Sequence, residues 1–409
     1  MVKFEKIKRL AEESRFDSLG HGVYSSEILD LGKIKVLGQG TAKDTCGCSY
    51  TKKGRDVQPR EIEEILNSGV FKASLPNGKK VSLFKTLFTN YCTHQCNYCS
   101  NAVNCLKKSK VYSYTPLELA KLTIFLYKEG YIHGLFLSSG IGRDEDTTME
   151  KMLETVRLLR EKYGFKGYIH LKILPGSSRE YIKEGMELAN RVSLNIEAPT
   201  KLYMDELSPT KNYPNDILLR QRYIKEIAKK MKKPTSQTTQ LVVGAGGESD
   251  KTIFKRVLRE YKEIEVKRVY YSAFVPLQGT GFERRAKQPQ WREHRLYQLD
   301  WLYRVYNFKE KELIHVFDEN GFLPNADPKL ALARSVLSEP LDPNEASYKE
   351  LIRVPGIGPT SAKRILLIRK KEKIRKKEQI AKLGVVIKRA SPFLKIGGWC
   401  ETTLERWWR

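Results

Sequence analysis

From residue 81 onward the chain alternates between two hydrophobic rhythms. Short β-rich runs recur as "VSLFKTLFT" (81–89), "GLFLSS" (134–139), "GYIHLKI" (167–173), "RVSLNIE" (191–197), "TTQLVVG" (238–244) and "RVYYSAFV" (268–275). Between them lie longer stretches such as "TPLELAKLTIFLYKEG" and "TTMEKMLETVRLLREKYG", with apolar residues at spacings of three and four. Several of these open on Ser, Thr or Asp, residues whose side chains cap the orphan amides of a helix. Strands alternating with helices predict a parallel sheet with helical crossovers, either an open doubly wound sheet or an incomplete barrel. The strand faces favour the barrel. Ser193, Asn195 and Glu197 share one face while Val192, Leu194 and Ile196 share the other, and His170 and Lys172 likewise oppose Ile169 and Leu171. A parallel strand covered by helices on both sides reads as almost continuously apolar, so polar faces point to strands lining a wet cavity. The expected fold is α/β, a partial (β/α)6 TIM-like barrel over residues 81–282.

The flanks follow other patterns. Residues 1–80 carry the helical patterns "FEKIKRLAEESR" and "REIEEILNSG" around a polar loop and are read as an N-terminal extension. A helical connector is expected over 283–340, with "WREHRLYQLDWLYRVYNF" and "DPKLALARSVL", and a C-terminal all-α module over 341–409. No internal repeat is apparent beyond the β/α period. No apolar run approaches the ~18 residues of a membrane span, and the N-terminus lacks a signal-peptide pattern, so a cytoplasmic location is expected.

Charge sharpens this picture. The net charge is +26, and from Leu351 to Arg409 there are sixteen Lys/Arg against four Asp/Glu. A one-signed excess concentrated at one end points to a polyanionic partner, whereas a merely soluble surface carries both signs. The seven cysteines are odd in number, and four lie within "TNYCTHQCNYCSNAVNC", residues 89–105. Clustering of this kind in a reducing compartment indicates metal or catalysis more than a disulfide framework. Cys92, Cys96 and Cys99 are spaced C-x3-C-x2-C directly after the first predicted strand, where functional loops of parallel barrels lie. Three thiolates suit three irons of a [4Fe–4S] cluster with the fourth left open. A structural zinc site would need a fourth ligand, His94 or Cys105. Cys46, Cys48, Cys105 and Cys400 stand outside the motif; incidental thiols, a second cluster and a redox-active Cys-Gly-Cys remain open readings for them.

"CTHQCNYC", with the aromatic Tyr98 before its last cysteine, resembles the signature of the radical S-adenosylmethionine (SAM) superfamily. The resemblance implies a partial barrel in which Cys92, Cys96 and Cys99 hold a [4Fe–4S] cluster and SAM binds its open iron. Reductive cleavage of SAM would give methionine and a 5′-deoxyadenosyl radical that abstracts a substrate hydrogen, the cofactors carrying the chemistry. Matching the family's other SAM-contacting elements points to Tyr98, to Ser138, Ser139 and Gly140 in "LSSGIG", to Lys172, to Asn195 and Glu197, and to Gly244 in "VVGAGGE". Two departures stand out: "LSSGIG" has no glutamate, and the spacing from Gly244 to Glu248 is unusual.

In the C-terminal module, "YKELIRVPGIGPTSAKRILLIRK" reads as helix, tight Gly-Ile-Gly turn, and helix. Amides at such a turn, ahead of a helix N-terminus, form an anion site. Ile357 is expected to tuck between the helices, Gly356, Gly358 and Thr360 to frame the turn, and Lys363 and Arg364 to reach flanking phosphate. The stretch resembles the helix-hairpin-helix of DNA repair proteins, which implies contacts to backbone instead of base edges. Over nearly the whole chain, "IHGLFLSSGI", "GYIHLKILPG", "VSLNIEAPT", "YYSAFVPLQGT", "WREHRLYQLDWL" and "VPGIGPTSAKRI" resemble a radical SAM family associated with DNA modification and repair. That resemblance implies nucleic acid as substrate, DNA ahead of RNA or tRNA. It also implies an electron donor such as a ferredoxin or flavodoxin, and a uracil-DNA-glycosylase-like partner. The competing reading is a non-catalytic iron–sulfur protein that docks nucleic acid for a glycosylase.

Overall fold

Alternation along the strands decides the architecture. In the computed structural model, which describes residues 31–41, 69–74, 80–108 and 110–401, the six predicted strands all form. They are β2 (Lys80–Leu87), β3 (Gly134–Ser138), β4 (Tyr168–Lys172), β5 (Arg191–Ser193), β6 (Ser236–Val243) and β7 (Arg268–Ala273), paired in parallel in sequential order. A strand absent from the sequence reading, β1 (Val70–Ser74), pairs antiparallel with β2, with Val70 opposite Phe84. The seven strands make a curled half-barrel. β1 escaped detection because "VFKAS" is short and set in polar surroundings; its place comes from the edge of β2.

On the convex face Leu135, Leu137, Ile169, Leu171, Val192 and Leu194 are fully buried in one apolar cluster with helix residues Leu119, Leu122, Met149, Met152, Ile182 and Met186. Burying each such side chain contributes about 1.5–3 kcal/mol, so this layer dominates the stability of the sheet. The opposite face carries Phe136, His170, Lys172, Ser193, Asn195 and Glu197, as the alternation predicts, and His170 Nε2 lies 2.9 Å from Ser193 Oγ. Burial, with the charges of Arg191, Lys172 and Lys85 nearby, pushes the pKa of His170 well down, so the imidazole is neutral.

The crossovers begin where the sequence provides caps. Thr115 and Glu118 form a reciprocal capping box on the helix Pro116–Lys128, and Asp144 accepts from the Thr147 amide at 2.7 Å to start Glu145–Arg157. Between β5 and β6 a short helix, Lys201–Leu207, precedes the expected one; it is too short to show a helical period and was not apparent in the sequence.

Two compact units result. The first runs to Glu248 and resumes over Lys255–Gln288; the second comprises Ser249–Phe254 and Pro289–Arg409. Within the second, the helix Gln290–Arg304 buries Leu296, Leu299 and Leu302, and its Arg292 pairs with the buried Asp250 at 2.7 Å. Pro328–Val336 follows, capped by Asp327. The short helices Tyr348–Leu351, Pro359–Ile368, Lys377–Lys382 and Ile387–Ala390 then close around Leu351, Val354, Ile357, Ala362, Ile365, Ile374, Ile380 and Ala390, all fully buried. Among the described residues no helix is long and apolar enough to cross a membrane.

Candidate functional site

The loop after β2 is held on three sides. On one, the segment after β3 approaches so closely that a Cβ on Gly140 would lie 2.3 Å from the Tyr91 carbonyl oxygen; only glycine fits. The Gly140 amide donates to Thr89 at 2.8 Å and the Thr93 amide to Ile141 at 2.8 Å, fixing Cys92 between them. On the second side, His94 bridges outward. Its Nδ1 lies 2.9 Å from Thr210 Oγ1, and its Nε2 lies 3.2 Å from Glu145 Oε1. The Nε2 approach to Glu145 is not a hydrogen bond, so it is the Nδ1 contact with Thr210 that makes His94 a brace for the loop.

The third side is the segment that follows Lys201–Leu207. The Asn97 amide donates to Leu207 at 2.8 Å, Asn97 Nδ2 to the Glu206 carbonyl at 2.9 Å, and the Gln95 amide to Thr210 Oγ1 at 3.1 Å. Cys96 Sγ and Ser208 Oγ are 3.2 Å apart. This brace delivers Lys211, 9% exposed, to the cysteines. Burial works against its charge, but Cys96, Glu197, Cys92 and Cys99 are close enough to outweigh that cost, and its pKa is raised. Lys211 was missed in the sequence because it ends an unremarkable "LSPTK"; nothing local marks it, and only the topology brings it to the thiols.

Two of the thiols, Cys92 and Cys99, are poor acids as they stand. Burial pushes Cys99 up to about 12, with Cys96 adding to the shift, and burial likewise raises Cys92. Such thiols lose their protons to a metal, so loading is coupled to proton release. Among the described residues no three His, Cys, Asp or Glu side chains are gathered tightly enough for a single metal ion. A cubane cluster spreads its cysteines over different irons, and the donor set, all sulfur with one cation alongside, suits it.

Around this loop the inner face supplies polar groups. Glu197 ends the β5 segment with φ of +56°, a left-handed backbone that costs a non-glycine residue of order 1–3 kcal/mol. Two bonds to the β6 segment hold it there, from its amide to Gln240 at 3.0 Å and from the Val242 amide to its carbonyl at 2.8 Å. Its carboxylate faces the Tyr98 hydroxyl; burial first, then Glu197, raises the tyrosine pKa, so the phenol keeps its proton. Ser139 Oγ is buried without a hydrogen-bond partner, an arrangement that costs about 1–3 kcal/mol unless a ligand satisfies it. Ser138 is buried, Asn195 is 7% exposed, and Lys172 is half-buried. After β6, Glu248 folds back to accept from the Gly244 amide at 2.5 Å and the Gly246 amide at 3.0 Å, which accounts for the short spacing between Gly244 and Glu248. Of the remaining cysteines, Cys105 is buried with its Sγ 3.7 Å from the Lys107 carbonyl, and Cys400 is half-buried on a short two-stranded ribbon. Cys46 and Cys48 lie outside the described residues.

The hairpin of the second unit matches its expected geometry. Ile357 is fully buried between the helices, and Thr360, Lys363 and Arg364 are exposed. Gly356 has φ of +87°, and a Cβ there would lie 2.5 Å from the Val386 carbonyl oxygen. The Ile357 amide is spent on Val354 at 3.1 Å, whereas among the described residues the amides of Gly358, Thr360 and Ser361 have no acceptor. Arg364 also reaches the Leu383 carbonyl at 3.4 Å.

That last contact exposes a repeat hidden in the sequence. "ELIRVPGIGPTSA" (350–362) and "EQIAKLGVVIKRA" (378–390) align without a gap, matching at their Glu, third-position Ile, Gly and final Ala. Gly384 has φ of +86°, and Val385 takes the buried place of Ile357. The two turns clasp reciprocally: the Val386 amide donates to Gly356 at 3.0 Å and Ser361 Oγ to the Gly384 carbonyl at 2.9 Å. The copies share too few identities to be visible in the chain; backbone conformation preserves what the side chains have lost.

Residues 86–256 match the Radical SAM superfamily, and residues 336–386 match the helix-hairpin-helix motif. Among solved structures the chain is similar to methylornithine synthase (PylB), with 17% identity over 53% of this chain and 60% of that one and a TM-score of 0.43. It is also similar to the FeFe-hydrogenase maturase HydG from Carboxydothermus hydrogenoformans, with 14% identity over 52% and 49% and a TM-score of 0.41. A radical SAM methyltransferase from Sphaerobacter thermophilus gives 13% identity over 55% and 67% and a TM-score of 0.38. This chain thus spans less than two thirds of the first two structures. No curated protein matches it.

Proposed function

Taking as premise that residues 86–256 are a radical SAM domain and that the same chain carries a helix-hairpin-helix motif, we propose a radical SAM enzyme that modifies or repairs nucleic acid, DNA in preference to RNA. The cofactors of radical SAM enzymes are a [4Fe–4S] cluster and SAM, and a one-electron donor is required. When bound and reduced they supply a 5′-deoxyadenosyl radical able to take hydrogen from an unactivated carbon.

Cys92, Cys96 and Cys99 would hold the cluster, with Lys211 offsetting the charge that three thiolates bring. Ser139 offers an unsatisfied hydroxyl to SAM, and Tyr98, Ser138, Gly140, Lys172, Asn195, Glu197 and Gly244 complete the wall around it. In the second unit the free amides of Gly358, Thr360 and Ser361, with Lys363 and Arg364, would grip backbone phosphate without reading sequence. A base within a duplex must be unpaired or extruded before its atoms meet a radical. A uracil-DNA-glycosylase-like partner fits a repair role, and ferredoxin or flavodoxin fits the donor role.

The observation that carries the nucleic-acid reading is the hairpin with unpaired amides inside a strongly basic module. It is tested by SAM turnover in reconstituted, anaerobic protein with dithionite. Release of 5′-deoxyadenosine is expected to rise several-fold when single-stranded or nicked DNA is added, and less with RNA. A rate indifferent to every nucleic acid would remove the substrate assignment and leave the SAM chemistry standing.

A further inference from the structure

Lys329 lies near the start of the helix Pro328–Val336, where a lysine ordinarily extends into water. Here it is only 7% exposed, and its Nζ donates to the Ile357 carbonyl, at the centre of the hairpin turn, at 2.5 Å. The same ammonium sits 4.6 Å from the centroid of the Tyr306 ring, and Tyr306 Oη is 3.6 Å from where a Cβ on Gly358 would stand. Burying a lysine is expensive unless it is paired, and among the described residues no carboxylate pairs with this one.

The carbonyl it chooses explains the position. The oxygen of Ile357 and the N–H of Gly358 belong to one peptide plane, and among the described residues there are no cis bonds, so the two groups point in opposite directions. A cation on the oxygen therefore turns the Gly358 N–H to the far side of the turn and withdraws electron density from it, making it a stronger donor. That N–H is one of those without an acceptor among the described residues.

We propose that Lys329 is a positioning residue for anion binding by the hairpin: held on the Ile357 carbonyl, it orients and polarises the peptide whose Gly358 amide meets a backbone phosphate. The inference rests on the nucleic-acid reading above and extends it to a residue outside the motif. Burial brings the Lys329 pKa down to about 7, so its charge changes within the physiological range. Bound phosphate favours the charged form, so affinity is greatest below about pH 7 and declines as pH rises through it. Ionisable groups on the surrounding elements include Tyr306, Tyr348, His315, Glu310, Lys311, Arg334, Lys349, Glu350 and Lys388, with Glu312 paired with Arg353 and Asp327 paired with Arg389. Of these, His315 is exposed.

The test uses the full chain and a fluorescein-labelled DNA duplex, followed by anisotropy at constant ionic strength from pH 6 to 8.5. Wild-type affinity is expected to fall about tenfold across that range. Lys329→Met is expected to bind weakly at every pH with a flat profile, and Lys329→Arg to hold the low-pH affinity up to pH 8.5. In parallel, the Gly358 amide resonance of 15N-glycine-labelled protein should move with an apparent pKa near 7 in wild type and stay still in Lys329→Met. A variant with the wild-type affinity and pH profile, or a Gly358 resonance indifferent to pH in wild type, overturns the proposal. Absence of DNA binding by wild type at any pH overturns the nucleic-acid reading as well, so the two failures are distinct.

Discussion

Cys96→Ala is expected to reduce 5′-deoxyadenosine release by at least about 100-fold while the polypeptide stays folded. Changes one shell removed from a metal already cost 10–100-fold, and loss of a ligand costs more. Cys96 is the most buried of the three thiols and the one in contact with Ser208, at 3.2 Å, so its place in the loop is the least adjustable. The alanine is smaller and apolar, and Ser208 can turn its hydroxyl elsewhere, so the fold should survive. Iron and sulfide content, the EPR spectrum after reduction, and chromatography of SAM products read the outcome together. A variant that binds a full cluster and cleaves SAM within twofold of wild type would exclude Cys96 as a ligand. Ser208→Ala is the companion: it removes the brace contact and leaves the thiols, so cluster content should persist.

The second large effect belongs to the hairpin. Gly356→Val places a branched side chain on a left-handed backbone and drives its Cβ to 2.5 Å from the Val386 carbonyl. The turn must shift, and with it the peptide planes that aim the Gly358 and Thr360 amides. Hydrogen bonds to a charged group contribute about 1.5–3 kcal/mol each, so losing two weakens DNA binding by at least about 100-fold. Because Gly356 and Gly384 hold each other's turns, the substitution disturbs both copies, and circular dichroism of the full chain is needed beside the binding isotherm. Lys363→Ala provides the gentler control: the turn stays intact, affinity falls modestly for all sequences, and the salt slope drops by about one. An unchanged isotherm for Gly356→Val would remove the hairpin from the interface.

Much of this was legible in the chain, for reasons specific to each element. Period two in "VSLNIE" and "YIHLK" located the strands and also told which face is wet, because a half-barrel leaves its inner strands without a second helical layer. The cysteine motif was readable because its three cysteines fall within residues 92–99 on one loop. The hairpin was readable because a Gly at φ of +87° against a neighbouring backbone has no substitute. What remained hidden depends on contacts between distant segments. Lys211 reaches the thiols only because a seven-residue helix that no period announces turns the chain back toward the loop. Lys329 looks like an ordinary lysine of a capped helix, and its role becomes visible only when the carbonyl opposite it is identified. β1 and the second hairpin were missed because their partners, β2 and the first hairpin, supply the constraint that their own side chains do not show.

The central proposal is that one chain joins radical chemistry in its first unit to a phosphate-backbone grip in its second. Its most direct test is an isotope transfer. The enzyme would be turned over anaerobically in ordinary water with unlabelled SAM and DNA purified from cells grown in D2O, and the mass of the 5′-deoxyadenosine measured. One deuterium is expected in the released 5′-deoxyadenosine, lost in Cys96→Ala and strongly reduced in Gly356→Val. Product released at an undiminished rate and free of deuterium, with deuterated DNA and then with deuterated RNA, would contradict it.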